Sequence, residues 1–157
     1  MYDANLPTPA RRPRVLSLAN QKGGVGKTTT TINLGTALAA CGMRVLIIDS
    51  DPQGNASTGL GIPQSARGIG TYDLLFGDDV TVEEIAVETG VPGLSVVTAA
   101  VDLSGAEVEL VNVDRREYRL KDAIARSLAP FDYILIDCPP ALGLLTLNAL
   151  AASDAVL

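Results

Sequence analysis

Three short stretches hold residues whose types and spacing suit chemistry on phosphates. The first is KGGVGKTT, residues 22–29. A glycine loop between an apolar strand and a helix presents backbone N–H groups and the positive end of a helix dipole to anionic oxygens. In such a loop Gly23 and Gly24 remove side chains where phosphate oxygens must approach, and Val25 and Gly26 complete the phosphate-binding stretch. Lys27 is placed for the β- and γ-phosphates of a nucleotide, Thr28 offers a hydroxyl to Mg²⁺, and Thr29 is placed for the α-phosphate. The common pattern G-x-x-x-x-G-K-[ST] would put its first glycine at Gln21, so this loop departs from it while keeping Gly26, Lys27 and Thr28. Lys22, a second lysine at the mouth of the loop, has no role in that common pattern.

The other two stretches end in aspartates. VLIIDSDPQ places Asp49 and Asp51 at the carboxyl end of a strand, the rim where α/β folds collect ligands. Phosphoryl transfer to water needs a group that orients the attacking water, and a carboxylate at that rim can do so. A D-x-D taken alone also suits plain strand-end capping. YILIDCPP runs an apolar strand into Asp137, where a carboxylate can complete the shell of Mg²⁺ through water, since that ion gives up its waters reluctantly. Apolar runs ending in Asp are common, and this one gains weight by following a glycine loop on the same kind of buried strand.

The elements that must position these residues are legible in the periodicity. Strands are predicted at residues 14–19, 44–49, 94–98 and 133–137, and helices at 27–41, 104–111, 117–128 and 144–152. Strands such as VLIID and YILID are apolar on both faces, which together with the strand-helix alternation predicts a doubly wound, mostly parallel α/β sheet. Thr28 to Thr31 are poor helix formers, so a helix that begins with them is expected to use their hydroxyls. Gly42 suits a left-handed helix end, Ser104 with Glu107 a capping box, and Glu117 with Lys121 an i,i+4 pair. Residues 54–70, rich in Gly, Ser and Asn, read as a mobile connection, and SDAVL as the opening of a further strand.

Composition limits the classes that remain. With 157 residues the chain has the size of one domain, and with no Trp and 4% aromatics its core must be aliphatic. A net charge of −6 disfavours long-range attraction to nucleic acid or an anionic membrane. No segment approaches the roughly 20 apolar residues of a membrane span. Cys41 and Cys138 read as reduced packing residues of a cytosolic protein. Arg115, Arg116, Arg119, Lys121 and Arg126 form the one basic cluster; Glu117 and Asp122, interleaved with it, favour a solvated helix face over a DNA contact.

The stretch KGGVGKTT resembles the deviant Walker A ATPases of the MinD/ParA group, a P-loop NTPase family. DPQGNASTGLG, DLSGAEVEL, REYRLKDA and DCPPALGLLTLNALAA are similar to the ParA-type partition ATPases in particular, over nearly the whole chain from Arg14 onward. The resemblance implies ATP and Mg²⁺ as cofactors and an ATP-dependent homodimer in which Lys22 reaches the partner's phosphates. It implies that Asp51 holds the attacking water and that Asp49 sits in the water shell of Mg²⁺. It further implies non-specific DNA binding, stimulation by a ParB-type partner, and a cytoplasmic, nucleoid-associated location.

On this reading residues 1–13 are a disordered lead-in and residues 14–157 the N-terminal part of a longer ATPase, truncated on its C-terminal side. Two other readings stand beside it: a MinD-like regulator of the division site, which would need a C-terminal amphipathic helix, and a remnant that binds nucleotide weakly or not at all. A nitrogenase-type iron protein would need cysteines placed to bridge a cluster, which Cys41 and Cys138 do not suit.

Overall fold

Five-residue aliphatic runs with no room for a polar face build the centre of the molecule. In the computed structural model, which describes residues 11–128 and 130–157, these runs, β2 and β5, are the two central strands of a six-stranded sheet in the order β3-β4-β2-β5-β1-β6. In chain order the elements are β1 (Arg14–Leu18), α1 (Lys27–Ala40), β2 (Val45–Asp49), α2 (Asn55–Gly59), α3 (Thr71–Phe76), α4 (Val82–Ile85), β3 (Val87–Glu88) and β4 (Leu94–Val97). They continue with α5 (Ala106–Glu109), α6 (Arg119–Arg126), β5 (Tyr133–Asp137), α7 (Leu144–Ala152) and β6 (Ala155–Val156). All pairings are parallel except β3 with β4, which gives the expected doubly wound, mostly parallel α/β fold. Residues 1–10, most of the expected lead-in, lie outside the described residues.

The two faces of the sheet explain why β2 and β5 have no polar alternation. Leu46, Ile48, Ile134 and Ile136 pack with Leu74, Leu103, Leu120 and Leu145 on the face covered by α3, α5, α6 and α7. Val45, Ile47, Leu135 and Leu94 turn the other way, with α1 and α2. Gly35 lets α1 lie close on that face, because a Cβ there would come within 3.0 Å of Ile47 Cδ1. Gly42, at φ 85°, ends α1 in the left-handed conformation that the sequence predicts.

Polar side chains fasten the helices to one another. Buried Asn148 of α7 accepts from the Leu120 amide of α6 at 3.1 Å and donates to the carbonyls of Arg116 (2.7 Å) and Leu144 (2.8 Å). The basic cluster is largely spent on the same task. Arg119 donates to the Leu75 carbonyl, and Arg126 to those of Gly77 and Val80, so two arginines two turns apart secure the end of α3 and the turn after it. Arg115 pairs with Asp122, and Arg116 with Glu117.

Three local expectations are corrected. The stretch 101–112 is one α turn, Ala106–Glu109, between two 3-10 segments, not an α-helix over 104–111. Its capping box does not form: Ser104 donates to the Val101 carbonyl, while Glu107 turns to the start of α7. The Glu117–Lys121 pair is also absent, because α6 begins only at Arg119 and Glu117 takes Arg116 instead, leaving the Lys121 ammonium 6.0 Å from the Tyr118 ring centre.

Replacing Asn148 with alanine strands the Leu120 amide in a buried layer and takes from the Arg116 carbonyl its side-chain donor. Urea unfolding is expected to show a loss of about 2–3 kcal/mol with an unchanged m-value, and a loss below about 0.5 kcal/mol would refute the fastening role.

Candidate phosphate-binding site

The loop between β1 and α1 is built to leave donors unsatisfied. Gly24 (φ 72°) and Gly26 (φ 83°) hold left-handed conformations, and a Cβ on either would meet nothing within 4 Å. They are required for the turn and they leave open space above it. Helix α1 has Gly26 as N-cap, no capping side chain and no acidic residue in its first turn, so its N-terminal amides and dipole are available to an anion. Lys22 is exposed at the mouth of the loop, where its amide donates to Asn20 Oδ1 at 2.9 Å.

Opposite the loop stand the aspartates, delivered by strand register. Asp49 of β2 is paired in register with Asp137 of β5, and Asp137 in turn with Leu18 at the end of β1. Thr28 Oγ1 donates to Asp137 Oδ2 at 2.7 Å and Thr31 Oγ1 to Oδ1 at 3.2 Å. Burial raises the Asp137 pKa above the usual carboxylate range, against the lowering pull of the two hydroxyls and the Lys27 charge.

Asp49 is fully buried, and its Oδ2 accepts from both the amide (2.8 Å) and the hydroxyl (2.6 Å) of Ser57. Burial lifts its pKa to about 6; the Ser57 hydrogen bonds hold it down and the Asp137 charge adds to the rise. Asp51 lies further along the rim, accepting from the Gln53 amide at 3.0 Å.

A cleft of about 430 Å³ brings Gly23, Gly24, Val25, Gly26, Lys27, Thr28 and Thr29 together with Asp51, and is completed by Gln53, Asn55 and Pro140. Asp49 is set behind this wall, in contact with Ser57. The donor set fits a magnesium nucleotide. A hydroxyl touching a carboxylate, a second carboxylate beside it and open space over the glycines suit an ion that keeps most of its waters. Among the described residues no group of three or more His, Cys, Asp and Glu forms a stripped, all-protein metal cage.

Residues 54–70, expected to be a mobile connection, form instead a fastened segment with α2 and a 3-10 turn. Its fastener is Arg67, which is buried and donates to the Ile62 carbonyl, Thr58 Oγ1 and the Ala99 carbonyl. Ser57 Oγ, besides holding Asp49, accepts from the Ala99 amide, and Thr71 Oγ1 donates to the Asp49 carbonyl. Neither Ser57 nor Arg67 was marked by spacing, because their partners lie across a glycine-rich segment. Thr31 could have been found from its i+3 spacing to Thr28 on one helix face.

The cysteines need one correction. Cys138 is buried beside Asp137, with its thiol pushed up to about 12 by burial, but Cys41 is exposed at the end of α1 and is no packing residue.

A mostly parallel sheet with a glycine loop feeding its central helix, and aspartates at adjoining strand ends, defines a P-loop protein of the α/β class. The family model AAA_31, described as an AAA domain, matches residues 13–157, and the chain belongs to that family. The chromosome partitioning protein ParA of Caulobacter vibrioides is 61% identical over 145 residues, which cover 91% of this chain and 54% of ParA. The sporulation initiation inhibitor protein Soj of Bacillus subtilis is 53% identical over 143 residues, covering 91% of this chain and 56% of Soj. Among solved structures, cobyrinic acid a,c-diamide synthase from Mycobacterium smegmatis, with bound ADP and magnesium, has a TM-score of 0.86 at 45% identity over 92% of this chain and 58% of that one. The resemblance to ParA-type proteins expected from the sequence is borne out by these relatives. The chain spans about half the length of the curated relatives it matches. No helix among the described residues is long and apolar enough to cross a membrane.

Replacing Arg67 with methionine leaves the Ile62 and Ala99 carbonyls without their donor. Amide exchange across residues 58–70 should accelerate well ahead of exchange in β2 and β5, and equal protection in both regions would remove the fastening role.

Proposed function

We propose that the chain binds Mg-ATP and carries the hydrolytic half-site of a ParA-type partition ATPase. The single observation that carries this reading is the cleft in which the glycine loop, Lys27, Thr28 and Asp51 converge. The names of the ParA relative and the ADP- and magnesium-bound structure support it.

In this reading the amides of residues 23–28 and the Lys27 ammonium would bind the phosphates, and the Thr28 hydroxyl would help to hold Mg²⁺. Bound Mg²⁺ supplies neutralisation of the charge that builds on the phosphates. Asp137 would hold the metal through its waters, with Asp49 as a second, more deeply buried charge behind it. Asp51 orients the attacking water from the opposite wall of the cleft. Lys22 projects outward from the loop, where it serves the phosphates of a second subunit in an ATP-dependent dimer. Dimer-dependent binding of non-specific DNA, stimulation by a ParB-type partner and nucleoid association belong to the same proposal. With Arg119 and Arg126 of α6 committed to backbone carbonyls and Arg115 paired with Asp122, the DNA contact is assigned to other surfaces of the assembled protein.

Calorimetry of the chain with Mg-ATP tests the core of the proposal. Saturable binding is expected, lost in Lys27→Ala. Asp51→Ala should keep the affinity within about twofold while turnover falls by two or more orders of magnitude. Absence of binding by the folded chain would favour a remnant. Turnover surviving in Asp51→Ala would remove the water-orienting role. In a form of the relatives' length, Lys22→Ala should abolish the ATP-dependent dimer seen by light scattering.

A further inference from the structure

Helix α7 lacks a cap of its own: Gly143 is its N-cap, no side chain of the helix start bonds its amides, and its first turn has no acidic residue. The cap comes from 37 residues earlier in the chain. Glu107 of α5 accepts from the Leu144 amide at 2.7 Å (Oε2) and from the Leu145 amide at 3.1 Å (Oε1). A carboxylate bridging two amides at a helix N-terminus is a strong, oriented contact. Gly143 makes room for it, since a Cβ at that position would come within 2.6 Å of both carboxylate oxygens. The Gly143 backbone itself, at φ −109° and ψ −167°, would accept alanine without strain, so Glu107 is what opposes a side chain there.

This contact fixes the far end of a loop that matters to the cleft. Residues 138–143 leave Asp137, run past Pro140 and end at Gly143; Pro140 walls the cleft and is the neighbour that a Cβ on Gly23 would meet, at 3.9 Å. One end of the loop is set by the sheet and the other by Glu107. Between them, Thr146 Oγ1 donates to the Ala141 carbonyl at 2.6 Å, tying the middle of the loop to α7 as well. We propose that Glu107 is a positioning residue for the nucleotide cleft: by clamping the N-terminus of α7 it holds Pro140 against the glycine loop. This rests on the Mg-ATP reading given above.

The test is a double-mutant cycle of E107A and G143A, read as Mg-ATP affinity by calorimetry at a temperature where every variant is folded. E107A should weaken binding roughly five- to tenfold, and G143A should do the same by pushing the carboxylate away. The two together should cost little more than either alone, because alanine at 143 has nothing to displace once Glu107 is gone. E107Q, which retains one acceptor oxygen, should lose less than E107A, and amide exchange at Leu144 and Leu145 should rise in the same order. Lower melting temperatures with wild-type affinity would reduce Glu107 to a helix cap and overturn the proposal, as would additive losses in the cycle. Failure of the unsubstituted chain to bind Mg-ATP would remove the nucleotide reading and this proposal together, whereas binding that E107A, E107Q and G143A leave untouched would remove this proposal alone.

Discussion

Two carboxylates buried at adjoining strand ends set the terms for the rest of the structure. Parallel pairing of β2 with β5 puts Asp49 and Asp137 side by side, and each is deprived of water. Such a pair holds like charge in a poorly solvated place, a cost that neighbouring donors must offset. Ser57 answers for Asp49 and the hydroxyls of Thr28 and Thr31 for Asp137. The first draws α2 under the end of β2, and the second ties α1 to β5. Two helices are thereby located by the need to satisfy two acids, and the glycine loop is located by the helix it leads into.

The parts of this arrangement that were legible in the sequence are those with a repeating or local cause. VLIID and YILID predict doubly covered parallel strands because nothing in them is polar before the final aspartate, and the register then follows from the fold. KGGVGKTT announces a phosphate loop because glycine and lysine at those positions have few other physical uses. What stayed hidden depends on contacts between distant segments. The segment after Asp51 looks loose by composition, yet Arg67 gathers the Ile62 and Ala99 carbonyls into one knot, and no periodicity marks a lone arginine as a fastener. Ser104 and Glu107 have the right spacing for a cap, but the uncapped start of α7 competes for the same glutamate and wins with two amides.

The arginines at 115, 116, 119 and 126 teach a related point about surface charge. Read by sign alone they make a patch; read by partner they are helix-end donors and local ion pairs. Arginine suits this work because its fork reaches several carbonyls while its charge stays near water. A cluster of cations is therefore no footprint for a polyanion until the carbonyls in reach have been counted.

The sheet order has a consequence for how the molecule is made. β1, the first strand among the described residues to emerge during synthesis, is bordered on one side by β5 at residues 133–137 and on the other by β6 at residues 155–156. Neither neighbour exists until more than a hundred further residues have left the ribosome, so the strand that launches the glycine loop waits unpaired while β2 and β4 can already meet. The nucleotide loop is in this sense the earliest part of the site to be translated and the last to be shaped.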